Sequence, residues 1–245
     1  MKKLLIDILA IMLLAGCSRQ QPVPRQTVIL VDMSASIEPQ AEAECLDGIA
    51  TFIAKLDRGD AVTIIPITGD ADVQSTGRVL RFQEPLNRTA YDADLIGFSK
   101  QVHDSLQALR IQTVRNPTAR TDIFGGIRMG IEELASRTKE QDRQMIIFSD
   151  FIEDDGAVNF STDPRLAATQ AAGRYAATEA RTSFSQRIPS MRVHLGLLQS
   201  KDLGKLDKVR RTAIRQFWEQ YFKTLGVESK YATDGVGLLA NFSPK

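Results

Sequence analysis

The strongest constraint in this sequence is a recurring unit: a short apolar run stops at a polar residue, and a stretch with helical periodicity follows. Residues 27–31 (Thr-Val-Ile-Leu-Val) are aliphatic or β-branched throughout and end at Asp32, the pattern of a strand covered on both faces. Residues 61–67 and 144–148 repeat the pattern, and 192–198 and 227–231 add two further strands. Between them Cys45, Ile49, Phe52, Ile53 and Leu56 share one face of a helix over 39–56. Helical periodicity returns over 91–111, 123–134, 166–181 and 206–225, the last with Val209, Ala213, Phe217 and Tyr221 on its apolar face. Pro66 suggests an edge or a strand end, and 78–82 reads as a hairpin partner, bracketed by Gly69 and Gly77. Strands alternating with helices predict a doubly wound α/β fold, a mostly parallel sheet with helices on both faces.

Such sheets bind ligands beyond the carboxyl ends of their strands. Three polar clusters are predicted there: Asp32-Met33-Ser34-Ala35-Ser36 after the first strand, Arg120-Thr121-Asp122 at a helix start, and Ser149-Asp150 after the 144–148 strand. If those two strands are neighbours, the clusters meet in one crevice. Asp32, Ser34, Ser36, Thr121 and Asp150 supply two carboxylates and three hydroxyls. Hard oxygens of this kind select Mg²⁺ or Mn²⁺, and water or an outside ligand must complete the shell. The plain alternative is that these residues only cap helices and turns, Ser36 and Thr121 above all.

Asp32-x-Ser34-x-Ser36, with Thr121 and Asp150 after the expected elements, resembles the metal-ion-dependent adhesion site of the von Willebrand factor type A domain. The resemblance runs over 27–241 and includes the order of strands and helices. It implies that Ser34 and Ser36 touch the ion, that Thr121 does so directly or through water, and that Asp32 and Asp150 act mostly through water. It further implies an open position that takes a carboxylate from a partner protein. Two features depart from the pattern. Phe151 follows Asp150 where many members of that family carry Gly, and Glu153-Asp154-Asp155 adds acids that read as a solvated turn.

The first residues carry an address. Lys2 and Lys3 precede an apolar stretch over 4–14 that is interrupted by Asp7 and too short to span a bilayer. Leu14-Ala15-Gly16-Cys17 then resembles the lipobox of bacterial lipoproteins, which implies cleavage after residue 16 and lipid, palmitate included, on Cys17. The expected organisation is a signal peptide over 1–16, a lipidated Cys and polar tether over 17–26, and one domain over 27–241. Ser18, rather than Asp, favours the outer membrane facing the periplasm. Cys45 then has no intramolecular partner and reads as a small buried hydrophobe.

The formal charge of +1 includes +1 from Lys2, Lys3 and Asp7, so the remainder is near neutral and offers no basic face for nucleic acid. His103 and His194 are the only histidines, and neither has a Cys or His at zinc-ligand spacing. Asp70-Ala71-Asp72-Val73-Gln74 starts like a calcium loop, but Ser75 stands where Gly is needed. Lys205, Lys208, Arg210, Arg211 and Arg215 read as a solvated helix face, and Trp218 is either core or partner-facing. The expected function is a lipid-anchored, non-enzymatic binding module that takes a protein partner through Mg²⁺ or Mn²⁺. A Mg²⁺-dependent phosphatase-like hydrolase is the enzymatic alternative, but Ser34 occupies the position where its general acid would be an Asp. A metal-free structural envelope protein is the third reading.

Overall fold

A computed structural model describes residues 23–69, 79–82, 90–115, 120–136, 142–184 and 188–240. The lipobox with Cys17 and the calcium-like loop over 70–75 lie outside the described residues. Among the described residues no helix is long and apolar enough to cross a membrane.

The elements are β1 (Arg25–Asp32), α1 (Pro39–Ala54), β2 (Ala61–Ile67), β3 (Leu80–Phe82), α2 (Tyr91–Arg115), α3 (Ile123–Ala135) and β4 (Asp142–Ser149). They continue with α4 (Thr169–Ser183), β5 (Arg192–Leu197), α5 (Lys201–Lys205), α6 (Lys208–Thr224), β6 (Glu228–Ala232) and α7 (Gly235–Ala240). The strands form one sheet in the order β3-β2-β1-β4-β5-β6, parallel except for β3. The chain builds outward from β1 in one direction, then crosses to β4 on its other side. That reversal opens a crevice at the carboxyl ends of β1 and β4.

The continuous apolar runs are explained by two cores, one per face. Val28 and Leu30 of β1 join Met145, Ile147, Val193 and Leu195 under α3, α4 and α6. Ile29 and Val31 join Ile146 and Phe148 under α1, α2 and α7. Alternate residues of a strand point to opposite faces, so a sheet covered on both sides is largely apolar along both, and the buried Thr63 of β2 is accommodated by donating to Glu133 at 3.0 Å. β3 pairs with β2 only from Val62 to Ile64, so it ends before Pro66. Pro66 therefore lies in β2, which is not the edge strand, beyond its described pairing with β3.

Four expectations change. β1 begins at Arg25 rather than at 27, taking in the last two residues of the expected tether, because Arg25 is fixed by Asp60: its backbone N–H and its Nη2 reach the carboxylate at 2.8 and 2.6 Å. The helix expected over 166–181 divides into a 3₁₀ turn at Pro164–Leu166 and α4, with Asp163 capping the turn. The one expected over 206–225 starts two residues later, at Lys208, and a separate short helix, α5, precedes it. Ser200 accepts the Leu203 N–H to start α5, and Asp207 accepts the Arg210 N–H to start α6. With α6 beginning at Lys208, Val209 falls on the exposed side, and the buried face is Ala213, Ile214, Phe217, Trp218, Tyr221 and Phe222. α7 was not expected, since two glycines in six residues mask its helical pattern.

Trp218 is core. It is fully buried, donates its indole N–H to the Phe151 carbonyl at 3.0 Å, and packs against Phe124, Phe217 and Tyr221. Cys45 is likewise buried, and burial pushes its thiol up, out of the reactive range.

Candidate metal centre

Asp32 closes β1 and Asp150 follows β4, so the pairing of these strands places the two carboxylates together at the crossover. Both are buried, at 1% and 3% exposure. Asp32 is held on both oxygens: Oδ1 accepts the Ser34 N–H at 2.8 Å and Oδ2 accepts the Ser149 hydroxyl at 2.6 Å. Asp150 accepts the Ile152 N–H at 2.9 Å and the Ser200 hydroxyl. Among the described residues neither carboxylate has an ion-pair partner.

That arrangement raises both carboxyls above their usual range. For Asp150 the causes are burial first, then the charge of Asp32, and its value is pushed up to about 7. Burial also raises Asp32, against hydrogen bonds from Ser149 and Ser34 and the more distant charge of Arg110. Two buried like charges with no cation beside them favour a shared proton or an added cation.

The Ser34 side chain lies within hydrogen-bond reach of Asp32. Ser34 is buried and Ser36 half-buried, with their Oγ atoms 3.1 Å apart. Neither Ser36 nor Thr121 caps a helix. The residue before α1 is Glu38, and the cap of α3 is Asp122, whose side chain accepts the Gly125 N–H at 2.7 Å. Neither hydroxyl is therefore spent on a helix cap, and Ser36 lies in the turn between β1 and α1.

Thr121 is buried and pinned from two sides. It exchanges backbone hydrogen bonds of 2.9 Å with Asp154, and the next residue, Asp122, donates to the Thr68 carbonyl just past β2. Gly69 permits that approach: a Cβ there would stand 2.6 Å from the Arg120 backbone nitrogen. The Met33 N–H bonds to the Ile67 carbonyl, so the ends of β1 and β2 and the Thr121 segment share one edge of the sheet.

The acidic turn differs from the expectation. Asp154 and Asp155 are half-buried, but Glu153 is fully buried, and its Oε2 accepts the Ile123 and Phe124 N–H groups at 2.9 and 3.2 Å. It satisfies the open amides at the start of α3, where the helix dipole favours a negative group. Phe151 has φ +62°, a left-handed conformation that costs a non-glycine residue roughly 1–2 kcal/mol. This is the physical content of the glycine found there in the resembling family. Here the conformation is held by the Ser149 hydroxyl, which accepts the Phe151 N–H at 2.9 Å, and by the Trp218 bond to its carbonyl.

Two contributors were not legible in sequence. Ser200 lies just past β5, and the Ile37–Ser200 bridge brings its loop against the first polar cluster. Arg110, on α2, reaches the carbonyls of Ser34 and Ile37. Among the described residues no group of three or more His, Cys, Asp or Glu gathers to hold a metal. An ion here would rest on a mixed set of two carboxylates and three hydroxyls, which suits a hard cation with exchangeable waters.

No protein-family model matches the chain, and no curated protein matches it in sequence. Among solved structures it is similar to the pilus adhesin SpaC from Lactobacillus rhamnosus GG in its open conformation. The TM-score is 0.56 at 17% identity, over 91% of this chain and 30% of the adhesin. A von Willebrand factor type A protein from Catenulispora acidiphila (TM-score 0.44, 13% identity, 90% of this chain and 41% of that one) is also similar. So is the manganese-loaded TRAP protein of Plasmodium vivax (TM-score 0.44, 12% identity, 89% and 71%). Identities this low speak to fold alone. With one antiparallel edge strand on a parallel sheet, helices on both faces and the β1/β4 crossover at its centre, the chain has a doubly wound α/β fold shared with the SpaC adhesin.

Proposed function

We propose that this is a lipid-anchored envelope protein that binds a protein partner through Mg²⁺ or Mn²⁺ held in the crevice. The observation that carries the reading is the buried Asp32–Asp150 pair, which has no ion-pair partner among the described residues and is bordered by serine hydroxyls. Ser34, Ser36 and Thr121 would supply neutral oxygens, and Asp32 and Asp150 the charge. A divalent ion offset by two carboxylates leaves roughly zero net charge, so an incoming Asp or Glu gains a direct bond to the cation in a weakly screened pocket. Surrounding contacts supply specificity, because a carboxylate–metal bond is alike for every acid. That a pilus adhesin carries the same fold supports binding over catalysis.

The topology also suits a tether. β1 starts at Arg25 at the amino edge of the sheet and the crevice lies at the opposite edge, so an anchor at Cys17 would leave the crevice free to meet a partner. A palmitate analogue fed to cells is expected to label the wild-type protein and leave Cys17→Ser unlabelled. Equal labelling of both would remove the anchor from this account.

Partner capture is tested by pull-down from solubilised envelope with and without EDTA, followed by mass spectrometry. A partner is expected that is lost with EDTA, with Asp32→Ala and with Ser34→Ala, and is retained by Cys45→Ser. A partner that survives EDTA and Asp32→Ala binds elsewhere on the molecule.

A further inference from the structure

The carbonyls on either side of Ser36 are gripped by one side chain from a distant helix. Arg110 of α2 donates from Nη1 to the Ser34 carbonyl and from Nη2 to the Ile37 carbonyl, the latter at 2.8 Å. Its Nε lies 2.8 Å from Glu42 Oε2 on α1, and the two side chains are 14% and 12% exposed. A guanidinium has a planar fork that can hold two carbonyls and a carboxylate at once, whereas an ammonium is a single point donor. On its far side the loop is secured by the Glu38 N–H to Gln199 and by the Ser36 carbonyl to the Lys201 N–H, at 3.0 and 2.9 Å.

This grip matters because two of the oxygens in the loop are neutral. A cation draws a hydroxyl less strongly than a carboxylate, so it gathers a loose loop poorly, and affinity depends on order established beforehand. A guanidinium this close would also repel an incoming cation. Glu42, in contact with it, offsets that charge.

Resting on the metal reading above, we infer that Arg110 is a positioning residue: it holds Ser34 and Ser36 in place for the ion, with Glu42 aligning and neutralising it. Groups that orient metal ligands without touching the ion typically change affinity by about 10–100-fold when replaced. Arg110→Lys keeps the charge and loses the fork, so Mn²⁺ affinity of the full chain is expected to fall by about that factor. Glu42→Gln, which unbalances the guanidinium, should weaken Mn²⁺ in the same direction by less.

Amide hydrogen exchange separates local from global effects. In Arg110→Lys, exchange over residues 33–38 should quicken while that of β1 and β4 stays slow. Mn²⁺ affinity within twofold of wild type in a folded Arg110→Lys, or unchanged exchange over 33–38, would overturn the positioning role. A wild-type chain that takes up no Mn²⁺ overturns the metal reading itself, and so differs from a failure of Arg110 alone.

Discussion

Trp218→Ala is expected to destabilise the domain by about 3–5 kcal/mol, the range for emptying a fully buried large aromatic site. Trp218 lies within 5.0 Å of Phe124 and 5.2 Å of Phe217, ring centre to ring centre, so its loss opens a cavity among rings too rigid to collapse into it. It also leaves the Phe151 carbonyl without its indole donor, at a residue already held at φ +62°. Trp218→Phe keeps most of the volume and removes the N–H, and should cost about 1–3 kcal/mol. Urea unfolding of both variants measures the difference. A loss below about 1 kcal/mol for Trp218→Ala would show that the aromatic cluster is not the keystone of its face.

The second large effect runs against intuition: without metal, Asp150→Asn should make the fold more stable at pH 8. Asp150 keeps its proton in the folded chain up to about pH 7, whereas an unfolded Asp releases it near pH 4. Between those values the folded state binds more protons, so stability falls as pH rises, and the full loss is present above pH 7. The amount is on the order of a few kcal/mol. His194, lowered to about 4 by burial, acts in the opposite direction, its stability rising from pH 4 to about 6.5. Comparison of wild type with Asp150→Asn isolates the carboxyl from the imidazole. Thermal unfolding from pH 5 to 8.5 in EDTA should show wild type losing ground to the variant as pH rises. Saturating Mg²⁺ should restore the wild type and leave the variant unchanged. Parallel pH profiles would mean that Asp150 carries no such burden.

The second effect has a plain physical source: a buried carboxylate pair without a counter-ion is destabilising until a proton or a cation joins it. The parts of the candidate site differ in how visible they are in sequence. Asp32 and Asp150 were legible because a strand buried on both faces has little place for a charged residue, so the first one marks its end. Ser34, Ser36 and Thr121 followed from their spacing and from the family the motif resembles.

Arg110 and Ser200 were not legible, since each acts through a long-range contact that no local pattern encodes. Glu153 was misread for a related reason. Three adjacent acids look solvated, and only the three-dimensional fold shows one of them beneath the amides of α3. The helix over 206–225 was legible to within two residues, and Asp207, as its cap, marks where it starts.

The central claim is that the crevice binds a divalent ion through Asp32 and its neighbours. Titration of Mn²⁺ into the purified chain, with free Mn²⁺ read by electron paramagnetic resonance, tests it directly. The wild-type chain should take up one Mn²⁺ per molecule, weakly in the absence of partner, and Mg²⁺ should displace it. Asp32→Ala should take up none while remaining folded. Uptake unchanged by Asp32→Ala would place the ion elsewhere, and no uptake by wild type would contradict the claim outright.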